Sequence, residues 1–169
     1  LIVGVFYLPL ASATRNEVAT VLFIVFAATD WFDGYLARKL DQTSAFGAFL
    51  DPVADKLMVA AALVLLVQAI PTPLMAVTAM IIIGREIAIS ALREWMAQIG
   101  GHGRVAVSMI GKIKTTAQMV AVLLLLYREP FGGVFPTLAV GQGLLLVAAV
   151  LTLWSMLHYL LAAWPALKA

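Results

Sequence analysis

The sequence predicts an all-α integral membrane protein, one bundle of six helices with the first truncated. Three observations carry that expectation. Apolar residues make up 63% of the 169 residues and charged ones 12%, with a mean hydropathy of +1.02; soluble domains run nearer half apolar and a quarter charged. The apolar residues gather into runs near the ~20 residues needed to cross a hydrocarbon core. Short clusters rich in Gly, Pro and polar residues separate the runs.

The first run, Leu1 to Leu10, is too short to span. It lacks the charged segment and small-residue cleavage site of a signal peptide, and reads as the remainder of a helix that begins upstream. Full helices are expected over Glu17 to Ala37, Ala48 to Ile70, Pro73 to Ala97, Val105 to Tyr127 and Leu138 to Trp164. Breakers fall at Ser12 to Asn16, Lys39 to Ser44, Pro71 to Pro73, Gly100 to Gly103 and Glu129 to Pro136. Pro52 fits most easily in a first helical turn with Asp51 as N-cap, yet the four-residue spacing back to Gly47 favours a helix that starts earlier and kinks. With no internal repeat and no room for a separate soluble domain, residues 1–169 read as a single domain.

Composition also excludes chemistries. There is no Cys, so disulfides, thiolate metal sites and a cysteine nucleophile are ruled out. His102 and His158 are too few for a histidine-rich zinc site; the first reads as a solvated loop residue, the second, with Trp154 and Trp164, as packing or interface anchors. If the loop after the second helix is cytoplasmic, nine of the 11 basic residues lie on that side and only Arg15 and Arg128 on the other. That asymmetry satisfies the positive-inside rule. The basic residues are scattered along one membrane face instead of forming a stripe, so no nucleic-acid partner is expected.

Against this apolar background, four aspartates stand out in the pattern D-x2-D-G-x2-A-R-x8-G-x3-D-x3-D, from Asp30 to Asp55. One Asp at the centre of a membrane helix costs roughly 2.5 to 3.5 kcal/mol on insertion scales, so four unpaired ones would cost on the order of 10 kcal/mol. No matching run of lysines offsets them. Carboxylates so placed point to bound divalent cations, and an oxygen-only donor set suits Mg²⁺ or Mn²⁺. Asp30 and Asp33 are three apart and Gly47, Asp51 and Asp55 four apart, so each set projects from one helical face. Two such ions a few Å apart form a clamp for phosphoryl transfer. Gly34 and Gly47 clear space for a ligand against the backbone, and Arg38 offers a fork for phosphate.

The second half adds cations in apolar surroundings: Arg85 and Arg93, eight apart on the fourth helix, and Lys112 and Lys114 on the fifth. Together they suit a phosphate monoester, which needs several donors and positive charge. The competing reading pairs Arg85 and Arg93 with Glu86 or Glu94 and lets the lysines snorkel to the interface.

The aspartate spacing resembles the complete signature of the CDP-alcohol phosphotransferase family, and every fixed position of its 26 residues is present. The resemblance implies a six-helix bundle, usually a homodimer, with two divalent cations. Asp30, Asp33 and Asp51 then correspond to metal ligands and Asp55 to a ligand that also serves as general base. Asp33, Gly34, Ala37, Arg38 and Gly47 correspond to the cytidine diphosphate site. The stretches FGAFLDPVADK (Phe46 to Lys56), GREIAISALREWMAQ (Gly84 to Gln98) and IGKIKTTAQM (Ile110 to Met119) are similar to bacterial members that join CDP-diacylglycerol to sn-glycerol 3-phosphate and release CMP. The phosphate of that acceptor would lie on Arg85, Arg93, Lys112 and Lys114. The expected setting is a bacterial inner membrane, with the site open to the cytoplasm and acyl chains out among the membrane lipids. Rival readings are another acceptor in the same family, such as inositol phosphate, serine or a second phospholipid, and a divalent-cation transporter. The transporter reading expects acids spread through the membrane thickness and leaves Gly34, Arg38 and Gly47 without a role. A purely structural subunit gives no reason to keep four costly acids.

Overall fold

A computed structural model describes residues 2–40, 45–98, 109–130 and 132–167 of the chain. Among them are six helices: α1 (Ile2–Phe6), α2 (Ser12–Lys39), α3 (Ala45–Ala69), α4 (Pro73–Gln98), α5 (Met109–Tyr127) and α6 (Thr137–Leu167). This is the expected all-α membrane bundle. Pro73–Met96 and Thr137–Leu161 are long and apolar enough to cross a membrane, and Ile113–Tyr127 is a shorter apolar helix.

The helix ends follow local chemistry. Thr72 caps α4, its Oγ1 accepting from Met75 N–H at 3.2 Å, and Pro73 takes the first helical position, where a missing N–H costs nothing. Arg128 ends α5 with φ of 62°, the left-handed conformation that usually goes to glycine. A side chain there costs roughly 1–2 kcal/mol. Thr137, fully buried, ties the turn to α6, with Oγ1 2.7 Å from Glu129 O and 3.0 Å from Arg128 O.

Two expected boundaries are corrected. Ser12 to Asn16 is not a breaker but the first turn of α2, closed by Arg15 N–H donating to Ala11 O at 2.9 Å. Polar residues are at home in a first turn, whose N–H groups lack helical partners. α3 begins at Ala45, ahead of Gly47, so Pro52 lies in its second turn and Asp51 is not its N-cap. This is the earlier start that the Gly47 spacing favours. His102 and the expected start of the fifth helix at Val105 lie outside the described residues.

α5 and α6 form the most extensive pairing; α4 packs on α6, α2 on α5, and α1 on both α2 and α3. Phe23, Leu63, Leu66, Met75, Ile82, Leu125 and Leu145 make the core, each almost completely covered. Large apolar side chains also face outward, Met80, Ile87 and Leu161 among them. In water such a surface drives association, whereas in lipid it is the solvated face. His158 Nδ1 stands 3.1 Å from Trp154 O, which accepts when that nitrogen carries the proton, and the two rings are 5.1 Å apart on the exposed face of α6.

Gly141 sets the α5–α6 distance. A Cβ there would stand 2.9 Å from Leu125 Cγ and 3.2 Å from Leu124 Cβ, and Leu125 is itself fully buried. Gly143, on the same helix, has open space around it. Gly141→Val is therefore expected to lower the unfolding midpoint in detergent by overpacking, at a cost of about 1–3 kcal/mol, while Gly143→Val leaves it unchanged or higher. Equal midpoints for the two variants would contradict the close approach.

Candidate active site

The C-terminal part of α2 carries Asp30, Asp33, Gly34, Ala37 and Arg38, and the N-terminal part of α3 carries Gly47, Asp51 and Asp55. All the motif spacings of three and four thus fall on continuous helix. The side chains of Asp33 and Asp55 are described, and both line one cavity of about 400 Å³, with Phe26, Thr29, Met58 and, from α1, Ile2 and Val3. The fold therefore brings together an acid from each half of the motif. The surroundings of Asp30, Gly34, Ala37, Arg38 and Asp51 lie outside the described residues. Among the described residues no three acids or imidazoles form a metal-ligand group.

Asp55 also lines a second cavity of about 560 Å³ between α3, α4 and α5, with Lys56, Glu86, Ser90, Lys114 and Thr115 as its other charged and hydroxyl groups and Leu57, Ile82 and Ile87 among its apolar ones. Asp55 is thus in the wall between two compartments. Lys56 Nζ donates to Ser90 Oγ at 2.5 Å, and Ser90 Oγ donates to Glu86 O, one helical turn back, at 2.7 Å.

Glu86 is the hub of the membrane-embedded charges. Its Oε1 accepts from Arg85 Nη1 at 2.7 Å and from Lys114 Nζ at 3.1 Å. Arg85 Nη2 donates to Ser155 Oγ of α6 at 3.0 Å, and the guanidinium stands 5.8 Å from the Tyr159 ring centroid. Two cations around one carboxylate leave an excess positive charge, while Lys56 and Asp55 on the same cavity offset each other. That single excess charge favours an anionic guest over a neutral one.

Of the four cations expected to hold an acceptor phosphate, Arg85 and Lys114 meet at Glu86, and Lys114 faces the second cavity. The side chains of Arg93 and Lys112 lie outside the described residues. The Arg85–Glu86 pairing weighed as the competing reading is present. Lys56, Ser90 and Ser155 were not singled out from the sequence. Lys56 could have been, as the cation beside Asp55; Ser155, 70 residues from Arg85, gives no local signal.

Comparisons with known proteins find relatives over nearly the whole chain. A relative from Salmonella choleraesuis (strain SC-B67), named CDP-diacylglycerol--glycerol-3-phosphate 3-phosphatidyltransferase, is 54% identical over 162 residues, 96% of this chain and 86% of its own. Relatives of the same name from Shigella flexneri serotype 5b (strain 8401) and Escherichia coli (strain K12) are each 54% identical over 159 residues, covering 94% of this chain and 84% of theirs. The CDP-alcohol phosphatidyltransferase family profile matches residues 1–160, spanning the aspartate motif, both cavities and the Glu86 hub. With motif, helices and cavities all inside that match, the chain belongs to the CDP-alcohol phosphatidyltransferase family.

Proposed function

We propose that this protein transfers the phosphatidyl group of CDP-diacylglycerol to sn-glycerol 3-phosphate, giving phosphatidylglycerophosphate and CMP. The observation that carries the reading is Asp55, which lines both the cavity shared with Asp33 and the cavity of Lys56, Glu86 and Lys114. A carboxylate between donor and acceptor compartments is where a general base belongs. The names of the relatives supply the two substrates.

In this mechanism Gly34, Ala37, Arg38 and Gly47 surround the cytidine diphosphate, and Arg85, Arg93, Lys112 and Lys114 hold the phosphate of the acceptor. Asp55 takes the proton of the glycerol 1-hydroxyl. That oxygen bonds to the phosphorus bearing the diacylglycerol as the bond from phosphorus to the CMP oxygen breaks, and CMP leaves with the electron pair. Arg38 stabilises the departing charge. The oxygen-only donors Asp30, Asp33, Asp51 and Asp55 fit two divalent cations, Mg²⁺ or Mn²⁺, which when bound neutralise charge on the attacking and leaving oxygens. The nine-to-two distribution of basic residues supports a site open to the cytoplasm in a bacterial inner membrane. A homodimer is part of the same proposal.

The test is metal-dependent CMP release by purified protein with CDP-diacylglycerol, comparing glycerol 3-phosphate with serine and inositol phosphate. Release with glycerol 3-phosphate alone is expected. Release with a different acceptor would keep the family and change the substrate. Lys114→Gln, which leaves Glu86 its bond to Arg85, should raise KM for glycerol 3-phosphate on the order of tenfold, the worth of one charge-assisted hydrogen bond. KM for CDP-diacylglycerol should hold; an equal rise in both would place Lys114 outside the acceptor site.

A further inference from the structure

The polar side chains around the second cavity are committed to partners, with one exception among the described residues. Lys56 Nζ and Glu86 O are joined through Ser90 Oγ, Glu86 Oε1 accepts from Lys114, and Asp55 and Thr115 are engaged as well. Gln118 of α5 is the exception. The residue is only 6% exposed and lines the cavity, yet its amide has no hydrogen-bond partner among the described residues. The Nε of Arg85 and Oγ1 of Thr152 are also unpartnered, but they are completely covered; the Gln118 amide meets the hollow of the cavity.

Gln118 follows Lys114 by four residues, so the two project from one face of α5, about 5–6 Å apart at Cβ. Leu63 and Ile82, both almost fully covered, make the lining near this face aliphatic. A buried amide in such surroundings forgoes both its donor and its acceptor capacity unless a ligand supplies the partner. The matching group is a hydroxyl, which gives and takes as the amide does, whereas a phosphate only accepts and leaves the amide oxygen unmet.

We infer that Gln118 is a specificity-determining residue that hydrogen-bonds the 2-hydroxyl of glycerol 3-phosphate, an assignment that rests on the transfer reaction proposed above. With the phosphate at Lys114 and the 1-hydroxyl at Asp55, all three polar groups of the acceptor then have a partner on the wall of one cavity. Three contacts around the second carbon also fix its handedness. In the enantiomer, sn-glycerol 1-phosphate, a hydrogen takes the place of the hydroxyl that Gln118 holds.

The test compares kcat/KM, read as CMP release, for sn-glycerol 3-phosphate, its enantiomer, and 3-hydroxypropyl phosphate, which keeps the phosphate and primary hydroxyl but lacks the 2-hydroxyl. The unsubstituted protein should prefer the first over either of the others by a factor on the order of 10 to 10², the loss when a buried group is left without its partner. Gln118→Met, apolar and of similar volume, should reduce both preferences to a few-fold. Its unfolding midpoint in detergent should stay at or above that of the unsubstituted protein, since no hydrogen bond within the bundle is lost. Gln118→Leu should do the same with a different shape, which separates the missing amide from a local misfit. A preference that survives in both variants, or no preference in the unsubstituted protein, would overturn the role of Gln118 and leave the reaction standing. No CMP release by the unsubstituted protein with glycerol 3-phosphate would overturn the reaction itself, and this role with it.

Discussion

Asp55→Asn is expected to lower CMP release by a factor on the order of 10³, within the range that a positioned general base contributes. Asn keeps the size and one carbonyl oxygen but cannot take the acceptor's proton. Because Asp55 shares the proposed donor-side cavity with the Asp33 carboxylate, cytidine nucleotide binding should change only a few-fold. The comparison that matters is therefore turnover against nucleotide affinity, measured on the same folded sample. Turnover within about tenfold of the unsubstituted protein would remove Asp55 from the base position, since loss of a general base typically costs 10²–10⁴. Equal, large losses of both would make it a binding residue.

Glu86→Gln should give the largest loss of stability. Glu86 Oε1 is the shared acceptor for Arg85 and Lys114, whose side chains are only 8% and 7% exposed. Removing one partner of a buried pair leaves an uncompensated charge, at a cost of about 3–5 kcal/mol. The unfolding midpoint in detergent reads this directly. Replacing Glu86 and Lys114 together with apolar residues of similar size should recover only part of the loss, because Arg85 is then left buried with Ser155 as its remaining side-chain hydrogen-bond partner. A Glu86→Gln variant as stable as the unsubstituted protein would show that the hub does not hold the bundle.

Much of the fold was legible because membrane helices announce themselves by length and hydropathy. α4 and α6 begin within a residue of their expected starts, at Pro73 and Thr137. The start of α2 was missed because Ser, Thr and Asn favour both loops and first helical turns, and only the Arg15–Ala11 bond decides between them. The aspartate pattern was legible because its period is helical. What periodicity does not contain is the pairing of distant segments. Ser155 reaches Arg85 from α6, Lys56 meets Ser90 across two helices, and Asp55 borders a second cavity. Local sequence offered Glu86 as a partner for Arg85, but that Lys114 shares the same oxygen depends on how α5 packs.

The apolar stretch of α6, Thr137–Leu161, has 25 residues and is about 37 Å long at the helical rise. A hydrocarbon layer of ~30 Å is shorter, a mismatch that a lean away from the bilayer normal would relieve. Such a lean would not involve α6 alone. Gly141 presses it against Leu125 near one end, and Ser155 holds Arg85 near the other. Bilayer thickness would thereby bear on the posture of the guanidinium that steadies Glu86, beside the cavity proposed for the acceptor.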